Sequence, residues 1–581
     1  MKKFFTLFIL VASVGTFIPM IFVVREAGGW QNWQGVLPKG SIDSLYYYAR
    51  IHEVVDGYPL IGNPYVYEHK DAFTPAFFLP DIVSALSALM GVPFDAAIVI
   101  NMFVWSLVFL LLSFALLKLL RMPLWWAFLW SVLMYVASYT FIIRPTILQL
   151  IYPVFLAFLI AFLKFLYEPF ERRRSLWLSL TAALAFYAYT ILAYIVLLVF
   201  AFIFFWFLFS RRFKELRALI VSGILALLLL IPFGIYTLLQ MGNPYYLETF
   251  ARLGLAYTHI PTMEVFYYGR WIVIGLITFG LLWFFFPKRE EGYLERKAFW
   301  VVTGASLFVG LMLNVVTGVD LSLAIHIGRF FFLWMTMILG ALLYEWYMSK
   351  AESTKTKAIK YITAVFLLAL SIGALRNLPQ GPSFFEFNKD GSFAGTQSYA
   401  GPLNWLEKNV PVESVIWANE SVSAYIPIMT RHYPLFYESA ALHSMSGKEL
   451  EDRFLLSHSL NTLTTEDLKR DFGLYAGYGS SIIQPFSQNE RAKLCETLAR
   501  FSGYRECPSH TDAIALRGEE YFKTLAARFG MIKKNQAALL EQYHVTYLIV
   551  DRIHDNIDIK QITTRKALYD DGRFVILSVP L

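Results

Sequence analysis

The feature that most limits what this chain can fold into is a succession of long apolar runs, broken by short clusters of Lys and Arg. About 20 helical residues cover a ~30 Å hydrocarbon core. Runs of that order lie at 4–24, 94–120, 124–143, 146–167, 176–189, 190–209, 217–239, 271–287, 298–317, 329–348 and 357–375, which reads as about eleven spans. Backbone polar groups in lipid must be satisfied within their own segment, so each run is expected as a helix. The stretch 176–209 is too long for one upright helix, and the break is placed near Tyr187–Tyr189–Thr190. The chain is 57% hydrophobic and 16% charged. Soluble domains hold about 25% charged residues, so the composition points to a polytopic membrane protein.

Charge sets the expected orientation. The clusters are Lys2–Lys3, Lys118 with Arg121, Arg172–Arg173–Arg174, Arg211–Arg212 with Lys214, Lys288–Arg289, and Lys350 through Lys360. Each falls on the cytoplasmic side of an alternating eleven-span path, with the N-terminus inside and the C-terminus outside. The net charge of +7 belongs to these short clusters and not to one continuous basic surface, which argues against nucleic-acid binding. The N-terminal Met-Lys-Lys and the apolar run to Val24 are read as a retained span, because no small-x-small cleavage pattern ends it. The expected location is the inner (plasma) membrane.

The expected domains are a multi-span region, 1–376, with a long first outer loop, 25–93; a Pro/Gly/Ser-rich linker, 377–401; and an extracytoplasmic α/β domain, 402–581. In the last, Ser414–Asn419, Val545–Asp551 and Phe574–Val579 read as strands, and Glu451–Leu460 and Gln488–Phe501 as helices. Cys495 and Cys507 lie there without metal-ligand spacing; in an oxidising compartment they can pair as a disulfide.

The first loop concentrates chemistry. Between Gly40 and Pro75 it holds Asp43, Glu53, Asp56, Glu68 and Asp71, together with His52, His69, Arg50 and six tyrosines. Carboxylates bind hydroxyls or act as bases, and aromatic faces stack on sugar rings. Ser41 or Asp43 can cap a helix running to about Val55, with Gly57 ending it. On that helix Asp43, Tyr47 and Arg50 are four and three residues apart, hence neighbours, and Glu53 follows three later. Local pairing, N-capping and an interfacial tyrosine belt account for the same residues structurally. Further along, Arg144, Arg270, His326 and Arg329 stand at expected outer span ends, where an arginine can hold a phosphate bidentately or snorkel to headgroups.

The run Asp-Ser-Leu-Tyr-Tyr-Tyr-Ala-Arg, Asp43 to Arg50, after a single N-terminal span resembles the first loop of the GT-C superfamily of membrane glycosyltransferases, among them oligosaccharyltransferase catalytic subunits and protein mannosyltransferase-like enzymes. The resemblance implies transfer of a sugar from a polyprenyl-phosphate-linked donor to a glycan, lipid or protein acceptor. It makes Asp43 the catalytic acid residue, or the ligand of a divalent metal such as Mg or Mn. It leaves Tyr47, Arg50, Glu53, Arg144, Arg270, His326 and Arg329 as substrate-binding candidates. Two family motifs are missing. Trp125–Trp126 is followed by Ala127, so there is no WWD sequon reader, and Asp43 is followed by Ser44 where protein mannosyltransferases have an acidic pair. The competing expectations are a flippase or transporter of lipid-linked glycans and a non-catalytic accessory protein.

Overall fold

A computed structural model of the chain describes residues 2–39, 43–73, 79–138, 147–260, 277, 280, 292–320, 323–348, 393–502, 506–555 and 567–579. The membrane part is built from α1 (Lys2–Glu26), α2 (Ser44–Val55), α3 (Leu79–Leu89), α4 (Phe94–Leu119), α5 (Leu124–Ala137), α6 (Ile147–Tyr167), α7 (Arg172–Ala188), α8 (Thr190–Phe209), α9 (Phe213–Leu229), α10 (Ile231–Met241), α11 (Tyr246–Arg252), α12 (Tyr293–Leu311) and α13 (Leu323–Met348).

Five of these helices, α1, α4, α6, α8 and α13, are long and apolar enough to cross a membrane, or six spans if the pair α9–α10 counts as one. The chain is thus a helical membrane protein, but the expected eleven spans are too many for the described residues. Hydropathy counts consecutive apolar residues, whereas a crossing needs one unbroken helix. The run 217–239 is two helices bent by 51°. The run 298–317 begins inside α12, whose first turns carry Glu295, Arg296 and Lys297, and it is interrupted at Met312. The run 124–143 supplies the 14 residues of α5, and α7 opens on three arginines. The run 357–375, and all of 271–287 except Ile277 and Gly280, lie outside the described residues. The break expected near Tyr189 is present: Tyr189 is extended (φ −169°, ψ 127°) between α7 and α8.

The bundle is organised around α6. Its spanning window is 78% buried against 28% for α1, so α6 is central and α1 lines the edge. Close approach of α12 and α13 depends on Gly304, where an added Cβ would stand 2.4 Å from the Trp334 ring. Small residues at such crossings let large neighbours pack against the backbone. Trp334 Nε1 donates to Thr303 Oγ1 at 2.9 Å. Trp126 has a packing role: its Nε1 donates to the Gly340 carbonyl at 3.0 Å and its ring stacks on Trp130, joining α5 to α13.

The C-terminal region adds α14 (Ala400–Asn409), β1 (Val415–Trp417), β2 (Tyr433–Pro434), α15 (Gly447–Ser457), α16 (Gln484–Ser502), β3 (Val545–Asp551), β4 (Ala567–Asp570) and β5 (Phe574–Ser578). These strands form one mixed sheet ordered β2-β1-β3-β5-β4, parallel on the β2-β1-β3 side and antiparallel on the other. β1, β3 and β5 are largely buried apolar runs, as the covered centre of a sheet requires, whereas the edge strand β4 is mostly exposed. Cys495 and Cys507 are joined as a disulfide across a Cα–Cα distance of 5.5 Å.

The first loop is not a separate appendage. Val36, Leu45, Tyr46, Tyr48, Ile51, Val54, Ile61 and Tyr65 belong to the same apolar core as Leu403, Ile416, Phe454 and Ile549. Polar ties reinforce it. His69 Nε2 lies 2.8 Å from Glu449 Oε2, Arg453 pairs with both Glu68 and Glu449, and Gln397 Nε2 donates to the Val36 carbonyl at 2.8 Å. On α11, the buried Arg252 donates to the carbonyls of Ala441, His443 and Met445. The first loop and the C-terminal domain therefore occupy the same end of the bundle.

Candidate functional site

The helix that carries the candidate residues forms as its sequence dictates. Asp43 is the N-cap residue of α2, and Gly57, at φ +101°, follows Asp56 where the helix ends. A residue in that left-handed region is most cheaply glycine. Most of α2 is buried because it is wedged between the bundle and the C-terminal core, and Tyr47 packs against both apolar clusters.

Asp43 is half-buried, and its side chain makes no capping hydrogen bond to the α2 backbone. Asn and Asp are favoured at this position because the side chain usually accepts such a bond.

One turn along, Tyr47 points to the bundle. Its phenol interacts electrostatically with that of Tyr189, at the α7–α8 break; burial pushes the Tyr47 hydroxyl well above its usual range, and Tyr189 and Tyr46 add to this. The Tyr189 hydroxyl in turn lies 2.7 Å from His326 Nδ1 on α13. Arg329 is one turn further along α13, so His326 and Arg329 share a face, and both are half-buried. Tyr47 is thus within electrostatic range of Tyr189, which contacts His326, while Asp43 and Arg329 are each one turn along their helices from Tyr47 and His326.

Arg50 goes elsewhere. It is fully buried, and its Nε and Nη2 reach Asp81 Oδ2 on α3 at 3.1 and 2.8 Å, while Nη1 reaches the Tyr46 hydroxyl at 3.3 Å. Burial alone raises the Asp81 carboxyl, and Arg50 pulls it back. Arginine does not surrender its proton in proteins, so the pair is ionic. This pairing differs from the Asp43 or Glu53 partnership that helical spacing suggests. It commits the guanidinium to anchoring α2 on α3.

Glu53 is separated from Asp43 by ten residues of helix, roughly 15 Å. It faces a cavity of ≈ 150 Å³ between the first loop and the C-terminal domain, lined also by Asp56, Tyr58, Glu413, His432 and Tyr433. Arg144 and Arg270 lie outside the described residues. Among the described residues no three His, Cys, Asp or Glu side chains are grouped as a metal site needs, so the donors described around Asp43 do not fit a divalent ion.

Asp81 and Tyr189 are structural neighbours of the candidate residues that their sequence spacing did not single out. Asp81 had a signal, as a lone carboxylate inside the apolar run Leu79–Leu89. Tyr189 had only its position at a helix break. No protein-family model and no curated protein matches this chain.

Proposed function

We propose that the protein is a membrane glycosyltransferase of GT-C type, moving a sugar from a polyprenyl-phosphate donor to an extracytoplasmic hydroxyl acceptor at the inner membrane. The observation that supports this reading is the position of Asp43: a half-buried carboxylate at the start of α2, one turn from Tyr47, which is within electrostatic range of the Tyr189–His326 pair. In this reading the acceptor hydroxyl gives its proton to the Asp43 carboxylate as its oxygen bonds to the anomeric carbon. The bond from that carbon to the carrier phosphate breaks, and its electron pair leaves on phosphate. Arg329, one turn from His326, offsets the phosphate charge. General base catalysis of this kind contributes about 10²–10⁴-fold. We route no step through a metal, since the described donors do not fit one.

The test is transfer of a radiolabelled sugar from a polyprenyl-phosphate donor in proteoliposomes containing the purified protein. Asp43→Asn is expected to lose about 10²–10⁴-fold in turnover while its melting temperature is unchanged. Full turnover by Asp43→Asn would remove Asp43 from the chemistry.

One observation favours a transporter as a second reading, namely the 51° bend between α9 and α10. Broken helices in transporters place polar backbone and side chains at the break to hold substrate. Here the break is Leu229–Leu230–Ile231–Pro232, which offers no such side chains. A flippase would move a fluorescent lipid-linked glycan between leaflets of these proteoliposomes without cleaving it.

A further inference from the structure

The C-terminal region is rich in charge, yet from Phe472 to Asn489 it carries no Asp, Glu, Lys or Arg. This stretch runs from the helical segment Phe472–Tyr478 through one π-helical turn, Gly479–Ile483, into the start of α16. Such turns are rare and collect where a structure has a use for them. Burial of Phe472, Tyr475 and Ile483 accounts for part of the apolar content. It does not account for Tyr478 and Ile482, which are 38% and 51% exposed. They stand four residues apart along helical backbone, so they share a face. A single exposed apolar side chain needs no explanation, whereas one that extends a larger apolar surface does.

The larger surface is supplied by the bundle. Two glycines press the turn against α11. An added Cβ on Gly479 would stand 1.7 Å from the Ala251 carbonyl oxygen, and one on Gly477, at φ +78°, would stand 3.0 Å from Arg252 Cβ. Tyr478, between these glycines, is therefore held beside the end of α11. That helix has two sides. Glu248 accepts from the Gly447 N–H, and Arg252 donates to the carbonyls of Ala441, His443 and Met445, all in the C-terminal region. Leu247 turns away from these contacts and is 68% exposed.

α11 follows α10 after the short link Gly242–Tyr245. α10 is the second half of the bent pair that passes as one membrane span, and Ile231, Ile235, Leu238, Leu239 and Met241 are exposed along it. Aliphatic side chains on the outside of a spanning helix meet lipid tails, which are as apolar as they are. Tyr245 and Tyr246 follow at its end, as tyrosines do where acyl chains give way to headgroups. The apolar exterior thus continues from α10, over Leu247, to Tyr478 and Ile482.

We propose that the Tyr478–Ile482 turn inserts into the bilayer leaflet at the α10–α11 end of the bundle, so that the C-terminal domain rests on phospholipid as well as on the helices. Continuity with the spanning pair selects lipid as the occupant. The uncharged sequence fits it, since no ion within the stretch has to leave water. Tyr478 can keep its hydroxyl at the headgroups while its ring and the Ile482 side chain enter the acyl boundary. This contact needs only that the bundle lies in a membrane and does not depend on the transferase reading.

The experiment uses the full-length protein in phosphatidylcholine nanodiscs. The two cysteines of the chain are joined to each other, so under non-reducing conditions Ile482→Cys supplies the thiol that takes an environment-sensitive dye. Met531→Cys supplies the water reference, since Met531 is also exposed but is followed closely by Lys533 and Lys534. Interfacial segments bury their apolar face about 5–10 Å into the headgroup and acyl boundary, so lipid carrying a doxyl group at that depth should lower dye emission at least about twofold more at position 482 than at 531. Aqueous iodide should do the reverse. Equal quenching at the two positions would overturn the proposal. Wild-type protein gives a second measurement that needs no variant. Phosphatidylcholine with a diazirine on its acyl chain is irradiated in the nanodisc, and the adducts are mapped by mass spectrometry. Adducts are expected within 472–489 as well as on α10. Adducts on α10 with none within 472–489 would overturn the lipid contact, and shielding of the 482 dye from both quenchers would overturn it in favour of a protein partner. Asp43→Asn leaves both readouts unchanged, so failure here is distinguishable from failure of the transferase reading.

Discussion

Removing the charge-forming group at Glu53 should change how the stability of the protein depends on pH. Glu53 is 6% exposed, and its carboxyl is pushed from 4.5 up to about 8, first by burial and then by Asp56 and Glu413. The folded state therefore binds a proton that the unfolded chain releases above 4.5. The resulting stability is fully present below 4.5 and is lost as pH rises through about 8. His432 and His443 are held below 6.5 by burial, so they act in the opposite sense, and only below 6.5. Between 6.5 and about 8 the wild type should lose about 2 kcal/mol relative to Glu53→Gln, at ~1.4 kcal/mol per unit. For a unit the size of the C-terminal core with α2, that is a drop of roughly 4–8 °C in melting temperature. Scanning fluorimetry in detergent across this range, wild type against Glu53→Gln, measures it. Two parallel melting curves with the same pH slope would refute the argument, because they would mean that Glu53 is ionised throughout.

Two other perturbations follow from the residues around α2. Asp81→Asn leaves the Arg50 guanidinium buried without its counter-charge and should cost about 3–5 kcal/mol; a thermal or denaturant shift worth less than about 1 kcal/mol would show that water reaches the pair. Tyr189→Phe removes the hydroxyl 2.7 Å from His326 Nδ1. If this contact positions the donor, the substitution should raise KM for the polyprenyl-phosphate sugar several-fold with kcat nearly unchanged, read in the same liposome assay, whereas an unaltered KM removes Tyr189 from the donor site.

Much of the element content was legible because it depends on local pattern. The strands at Val545–Asp551 and Phe574–Ser578 match their apolar runs, and the helix ending before Gly57 matches its cap signals. The span count was not legible. Apolar length does not show where a helix bends, as between α9 and α10, or where charge enters its first turn, as in α12. The partners of the candidate residues were also hidden. Spacing along α2 favoured Asp43 or Glu53 for Arg50, but Asp81, 31 residues away, took it, since burial of a guanidinium demands a carboxylate that is equally buried.

The acidic, tyrosine-rich loop after the first apolar span was determined by the order of residues alone, as were the membrane class of the chain and the polar α/β region that follows the spans. These depend on composition and period, which are local. Tertiary structure decided which end of α2 meets which surroundings. Its start, at Asp43, lies one turn from Tyr47, which packs on the bundle core, and its end, at Glu53, lines a cavity with Glu413, His432 and Tyr433 of the C-terminal domain. The physical reason is shared burial. The first loop and the C-terminal domain, more than 300 residues apart in sequence, complete one apolar core, and that core places polar groups together that no spacing rule connects.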